Sequence, residues 1–338
     1  MGQNIGLRLI RRRRVCTADR PLKRNNDVTT ESRRKSRGFS LVEIAIVLAI
    51  LGFVLTIGLQ ATGAYLSHER RKVSLARVAG LDVALANYVA VQGRLPCPAD
   101  GALPPGDANL GLERRAADGT CLVVAGPPIT PIMNRGVVPW VTLGLTETDA
   151  LDGWNTRISY RTITALAAPP NLGFTSNRAL DATGCDPGGA AARAAVTVGG
   201  QSVETCATGC TLATLAACTS PANFVTGRGL SVRSDVAPLG ILLMDPAALT
   251  GAAYVLISHG ENRGGGYDSS GTLQAGTPAN GVLEAPNANN QALPVLPAAF
   301  IDAPLNDSDD GATRFDDIVS RPTLMTLLVK AGLAPRAH

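Results

Sequence analysis

The hydrophobic pattern is strongest at residues 39–59, where apolar side chains would surround a helix on every side. As a helix, this stretch would span about 31 Å at about 1.5 Å per residue, close to the roughly 30 Å apolar core of a bilayer. A buried core helix would carry one apolar stripe, and a cleaved secretory signal would have a shorter apolar region followed by small residues. The pattern therefore predicts a membrane-spanning helix, which we place at residues 39–61.

From Tyr65 onward, the spacing of apolar residues becomes that of an amphipathic helix, with Glu69, Arg70 and Arg71 among the residues of its polar face. Gly93 and Pro96 are typical of the end of a helix. We therefore predict that the helix continues over residues 62–93. Its apolar positions are Leu66, Val73, Leu75, Val78, Leu81, Leu85, Tyr88 and Val89.

Residues 94–338 have the pattern of a loop-rich globular head that contains β-strands, with an insertion around 164–236. Short apolar runs bounded by Gly, Pro and Asp predict strands at 121–125, 158–163, 194–198, 241–244 and 253–258. The run 324–329 suits a helix or a strand. The expected fold class is α+β.

Charge is distributed unevenly along the chain. Residues 1–38 contain 12 Lys and Arg against three acidic residues, whereas the remainder contains 19 basic and 24 acidic residues. A mildly acidic body argues against binding nucleic acid through a basic face. By the positive-inside rule, the basic leader at 1–38 should stay in the cytoplasm while the head lies outside.

Glu43 is the single ionisable residue of the apolar run. A carboxylate in such a span costs about 2.5–3.5 kcal/mol, so it usually has a partner or a purpose. A partner would have to come from another chain or from an α-amine exposed by removal of the leader. The alternative is that Glu43 lies close enough to the cytoplasmic end to reach water or become protonated.

The surrounding residues, KSRGFSLVE from Lys35 to Glu43, resemble the prepilin processing motif of type IV pilins and type II secretion pseudopilins. The resemblance implies that a prepilin peptidase cuts between Gly38 and Phe39 and methylates the new amine. It implies that Glu43 pairs with the N-terminal amine of a neighbouring subunit during assembly. It also implies a pilin-like fold, in which the second half of a long helix packs on the head.

The function implied by this resemblance is that of a structural subunit, a minor pilin or minor pseudopilin, in a pilus or secretion filament. Its partners would be prepilin peptidase, other pilin or pseudopilin subunits and inner-membrane lipid, with no nucleic acid. The head would lie in the periplasm or, within a filament, at the cell surface. The alternatives are a signal-anchored periplasmic enzyme, with a cluster around Asp152 and His259, and an adhesin that binds through the 164–236 insertion.

Catalytic motifs are absent from the sequence: it has no G-x-S-x-G, H-E-x-x-H or phosphate-binding P-loop pattern. We therefore expect no enzymatic activity, and we expect His259 to be a loop residue rather than a base. Within the head, Asp152-Gly153-Trp154-Asn155 resembles the Asp-x-Trp-Gly loop of pseudopilins, with Asn155 in place of the usual Gly.

Six cysteines would remain after the leader is removed, and an even number in an exported domain favours disulfides. We favour a Cys97–Cys121 pair at the junction of helix and head. The other four cluster within the insertion, where disulfides are favoured over a zinc site because the spacing lacks paired CxxC motifs and a nearby His. These are Cys185, Cys206, Cys210 and Cys218.

No cofactor is expected, although an acidic loop near the C-terminus could bind calcium. Asn306, Ser308, Asp310 and Asp317 fall at positions 1, 3, 5 and 12 of an EF-hand-like spacing. The resemblance adds support, because major pseudopilins carry calcium near the C-terminus. However, the bidentate Glu of an EF-hand is missing, and an acidic solvated turn is the favoured alternative.

Overall fold

The computed structural model describes residues 40–115, 121, 136–163, 173–183, 194–198, 201–205, 224–225, 227–276, 279–289, 299–308, 310–311 and 313–335. For residues 57–62, 64, 194–198 and 201–205, this description covers the backbone alone. The chain divides into two units, Met1–Ile57 and Gly58–His338.

The described part of the first unit is the start of helix α1, which runs over Leu41–Gln92. Its apolar side chains are exposed, from Leu41 at 87% to Leu55 at 62%. Leu41–Thr56 is an apolar stretch of this helix in which Glu43 is the one ionisable residue. Such a surface needs a lipid or protein covering, because large contiguous apolar patches are rare on soluble monomers.

In the second unit, one face of α1 is buried in the core of the head. Val78, Leu81, Leu85 and Val89 are each no more than 5% exposed, at the three- and four-residue spacing that the amphipathic pattern predicts. Gly93 ends the helix with a positive φ of 64°, and its N–H donates to the Val89 carbonyl.

Among the described residues, Tyr65–Gln92 is the one helical stretch long and apolar enough to cross a membrane. We assign it instead to the core of the second unit. The reason is that its apolar face belongs to one hydrophobic cluster with Val137, Tyr160 and Leu256.

The main sheet has five antiparallel strands in the order β1-β2-β4-β9-β12. These are β1 Ala99–Asp100, β2 Gly136–Val137, β4 Ser159–Thr162, β9 Tyr254–Ser258 and β12 Ile318–Ser320. The central pair β4 and β9 aligns Ser159 with Ile257, and β12 aligns Ile318 with Ser258. This register brings the start of β4, the end of β9 and the start of β12 together at one end of the strands.

The other strands of the described residues form three smaller sheets. β3 Thr156–Arg157 pairs with β10 Tyr267–Asp268, and β5 Ala194–Val198 pairs with β6 Gln201–Thr205. A three-stranded sheet has the order β11-β7-β8. Its strands are β7 Val232–Arg233, β8 Leu242–Met244 and β11 Phe300–Ile301; the short helix α2 is Glu147–Ala150, and a 3₁₀ turn covers Ala285–Asn287.

The run near the C-terminus is a helix, α3 Leu324–Lys330, whose first turn is capped by the Thr323 side chain accepting from the Thr326 N–H. It buries Leu324, Leu327 and Leu328, again at helical spacing. The α+β prediction is confirmed: a long helix and a β-containing head form one chain. The strands predicted at 158–163, 194–198, 241–244 and 253–258 are present within one residue or two of these limits; of 121–125, only Cys121 is described.

Candidate functional site

The N-terminus of α1 is closed by a reciprocal pair of hydrogen bonds between Ser40 and Glu43. The Ser40 N–H donates to Glu43 Oε2 at 2.9 Å, and the Glu43 N–H donates to Ser40 Oγ at 3.1 Å. This is a capping box, which satisfies two backbone N–H groups that a helix start leaves without partners. A carboxylate here also interacts favourably with the positive end of the helix dipole.

The capping role of Glu43 is one that the sequence interpretation missed. Ser-x-x-Glu before an apolar run is a readable capping signal, but the sequence interpretation considered only another chain, a new α-amine or water as partners for this carboxylate. Glu43 thus has a local partner within the single chain. The processing residues Gly38 and Phe39 lie outside the described residues.

A buried polar network lies at the end of the main sheet where β4 starts and β9 ends. Ser159 Oγ is 2.8 Å from His259 Nε2, and His259 Nδ1 is 3.8 Å from Asp317 Oδ1. Asn289 donates to the same Ser159 oxygen at 2.7 Å. Ser159 and His259 are completely buried, and Asp317 is 4% exposed.

The order Ser–His–Asp is that of a nucleophilic triad, but its environment does not suit catalysis. Because Ser159 is completely buried, a substrate carbonyl cannot reach its Oγ from the surface. Burial, followed by the nearby positive charge of Arg161, lowers the pKa of His259 to about 3. A histidine with so low a pKa is a poor general base near neutral pH. The network is therefore best explained as a structural one.

Asp152, the other residue of the enzyme alternative, is also in a structural role. Its Oδ1 accepts from the N–H groups of Trp154 and Thr156, and its Oδ2 accepts from Ser258 Oγ at 2.8 Å. Burial raises its pKa to about 6. The carboxylate shapes the loop before β3 and fixes it to the end of β9.

Three acidic residues converge beside this network. Glu284, Asp316 and Asp317 each place a carboxylate oxygen within 4.8 Å of the others, and all three are buried. Arg314 donates to Asp316 at 2.6 Å, and Asn262 donates to Glu284 at 2.7 Å. Burial raises the pKa of Asp317 well above its usual value, and neighbouring Glu284 and Asp316 add to the effect.

The four residues of the predicted calcium site occupy two different surroundings. Asn306, Ser308 and Asp310 lie in a turn whose side chains bond to Thr313: Asn306 Nδ2 donates to its carbonyl, and Asp310 Oδ2 accepts from its hydroxyl at 3.0 Å. Asp317 instead accepts from Asn287 at 2.8 Å within the buried acidic group. Calcium binding by these four residues stays a prediction.

At the junction of helix and head, Cys97 and Cys121 form a disulfide with a Cα–Cα distance of 5.4 Å. Beside it, Glu113 accepts from both guanidinium NH groups of Arg94, from the Tyr88 hydroxyl and from the Cys97 N–H. Cys185, Cys206, Cys210 and Cys218 lie outside the described residues, so their predicted pairing stays a prediction.

Comparison with known protein families matches residues 33–59 to the prokaryotic N-terminal methylation motif. The chain therefore carries the signature of type IV pilins and pseudopilins, a class of structural proteins anchored by an apolar N-terminal helix. No curated protein and no solved structure matches it in the corresponding comparisons.

Proposed function

We propose that this protein is a minor pilin or minor pseudopilin of a type IV pilus or a type II secretion-type filament. The methylation motif at 33–59 is the observation that carries the proposal. The motif implies cleavage by a prepilin peptidase between Gly38 and Phe39. It also implies assembly with other pilin or pseudopilin subunits.

The first part of α1 supports assembly through this helix. Its large apolar side chains between Leu41 and Leu55 are exposed, at 46% or more. In the membrane, lipid covers them; in a filament, the equivalent helices of neighbouring subunits replace the lipid. Association inside an apolar medium then depends on close packing and on the few polar groups available, of which Glu43 is one.

The proposed location is the inner membrane, crossed once, with the head in the periplasm. Twelve basic residues in the leader favour its retention in the cytoplasm. A large head on a single helix is easier to accommodate at a filament tip than throughout a filament, which favours a minor subunit. The Cys97–Cys121 disulfide suits an oxidising compartment outside the cytoplasm.

Glu43→Gln tests assembly directly. Gln at the third helical position retains the Ser40 capping box but removes the negative charge. We expect the variant to be cleaved and inserted in the membrane but to be at least about tenfold depleted from sheared filaments and from crosslinks with partner subunits. The reason is that the variant loses the charged pair between Glu43 and the N-terminal amine of a neighbouring subunit, within an apolar medium.

The matched control is Glu69→Gln, which removes the charge of another α1 glutamate paired with Lys72 at 2.8 Å. It should assemble like the wild type. Wild-type levels of Glu43→Gln in filaments would contradict the proposed role of this carboxylate.

A further inference from the structure

The buried acidic group contains carboxylate oxygens that no hydrogen bond satisfies. Asp316 Oδ1 and Asp317 Oδ1 have no hydrogen-bond partner, although both residues are only 4% exposed. A buried acceptor without a partner costs free energy, and three carboxylates within 4.8 Å of one another also repel. Such an arrangement calls for a cation.

His259 provides a second, independent observation. Its Nδ1 also has no hydrogen-bond partner of ordinary geometry, although the Gly264 backbone lies close to the ring; the residue is completely buried, and Nδ1 is 3.8 Å from Asp317 Oδ1. The other ring nitrogen, Nε2, is held at 2.8 Å by Ser159 Oγ. When Nε2–H donates to this oxygen, Nδ1 is left as a free base, as metal-binding histidines require.

We propose that His259, Asp317 and Asp316, with Glu284 completing the group, bind one divalent transition-metal ion of the zinc type. An imidazole nitrogen together with carboxylate oxygens is a zinc-type ligand set, whereas calcium takes six to eight oxygen ligands. Ligand atoms about 2.0–2.2 Å from an ion lie roughly 3–3.5 Å apart. His259 lies outside the group of three carboxylates whose oxygens are within 4.8 Å of one another, so the imidazole and the carboxylates must both move for one ion to contact all four residues.

The charges of the site match a divalent ion. Metal binding requires the carboxyl groups to be ionised, and the three carboxylates together with the guanidinium of Arg314, 2.6 Å from Asp316, would then carry two negative charges. Arg161 and Asp152, the next buried charges that act on His259 and Asp317, oppose each other. The Arg71 guanidinium donates to the Asp316 carbonyl at 3.5 Å.

A cavity adjoins one of the proposed ligands. Asp316 also lines a cavity of about 230 Å³ with Trp154, Glu261 and Asp307, next to the start of β12. Once bound, the ion would hold the end of β9, the turn before Ala285 and the start of β12 together. Its role would be to stabilise the head, which makes it independent of Glu43 and of filament assembly.

The test uses the full-length protein purified in detergent, stripped with a chelator and dialysed against Zn²⁺ or Ca²⁺. Metal analysis should find one zinc per chain, and Zn²⁺ but not Ca²⁺ should raise the Tm. Co²⁺ should give visible absorption from a nitrogen and oxygen site. His259→Gln and Asp317→Asn should each weaken Zn²⁺ binding at least about tenfold, while Asp307→Asn, which alters an exposed carboxylate lining the same cavity, should not.

Three outcomes would overturn the proposal. One is wild-type protein without stoichiometric zinc, a result that does not depend on whether the variants fold. Another is a thiolate-to-cobalt charge-transfer band, which would place the ion on the cysteines. The third is Ca²⁺ bound in preference to Zn²⁺. None of these outcomes affects cleavage at Gly38 or assembly through Glu43, so the proposed function is tested separately.

Discussion

Asp152 shows how a buried acid shapes a loop at the cost of a pH-dependent stability. Its three hydrogen bonds come from two backbone N–H groups and from Ser258. Burial nevertheless dominates and raises its pKa to about 6. The native state therefore holds a proton that the unfolded chain has lost between about pH 4 and pH 6.

Asp152→Asn should consequently change how stability depends on pH. Since the native pKa is raised, the wild type loses stability as pH rises through this window, whereas the amide does not titrate. Its oxygen can accept both backbone bonds, and its NH₂ can donate to Ser258. Relative to the wild type, the variant should gain up to about 3 kcal/mol between pH 4 and pH 7.

The measurement is the free energy of unfolding of both proteins at a series of pH values. At the acid end both side chains are neutral, so that comparison serves as the internal control for altered packing. A difference that stays constant with pH would contradict the assignment of a raised pKa to Asp152.

The structure explains why Asn155 can stand where the pseudopilin loop that the sequence resembles has Gly. Its φ of 65° lies in the left-handed region, which Gly adopts freely and Asn tolerates best among the other residues. Its Nδ2 also donates to Ser269 Oγ at 3.0 Å. The sequence could show that Asn155 replaces Gly, but the partner that holds it, 114 residues away, is visible only in the fold.

At the scale of elements, the Cys97–Cys121 disulfide joins the segment after α1 to Cys121, and the Cys97 N–H also donates to Glu113. The bond closes a loop with a sequence separation of 24 residues. Removing it with Cys97→Ser and Cys121→Ser should lower the free energy of unfolding by about 3 kcal/mol, because the unfolded chain regains loop entropy.

Each single variant should lose as much as the double variant, since either substitution breaks the same bond. Chemical denaturation of the four proteins in detergent measures this. Additive losses, or a stability equal to that of the wild type, would contradict a native disulfide between these two residues.

Helix α1 and the strands β4, β5, β8 and β9 were predictable because each has its own local pattern, whereas α2 and the other strands lie outside the predicted runs. α1 follows its apolar face, and β9 follows the run that ends at Ser258. The run that forms α3 was ambiguous because a short apolar run suits a helix and a strand equally. Thr323, whose side chain caps this helix, is the feature of the sequence that favours a helix here, and it was overlooked.

The polar network at this end of the main sheet could not be predicted in the same way. Ser159, His259 and Asp317 meet because β9 lies between β4 and β12, over sequence separations of 58 to 158 residues. The same pairing explains the position of Asp317: the next residue, Ile318, aligns with Ser258, so Asp317 lies beside His259. The EF-hand-like spacing carries no information about this pairing.

For the whole molecule, the central claim is that an apolar N-terminal helix becomes available for assembly after the leader is removed. The basic charge concentrated in 1–38, the motif at 33–59 and the exposed apolar side chains up to Leu55 each support it. The acidic head, with 24 acidic and 19 basic residues in the chain beyond the leader, gives no support to nucleic-acid binding.

The most direct measurement is the mass and N-terminal sequence of the protein recovered from membranes of cells with and without prepilin peptidase. We predict a chain that begins with N-methylated Phe39 when the peptidase is present and an intact leader when it is absent. A leader retained in both, or cleavage within residues 58–65, would contradict it and favour a signal-anchored protein outside any filament.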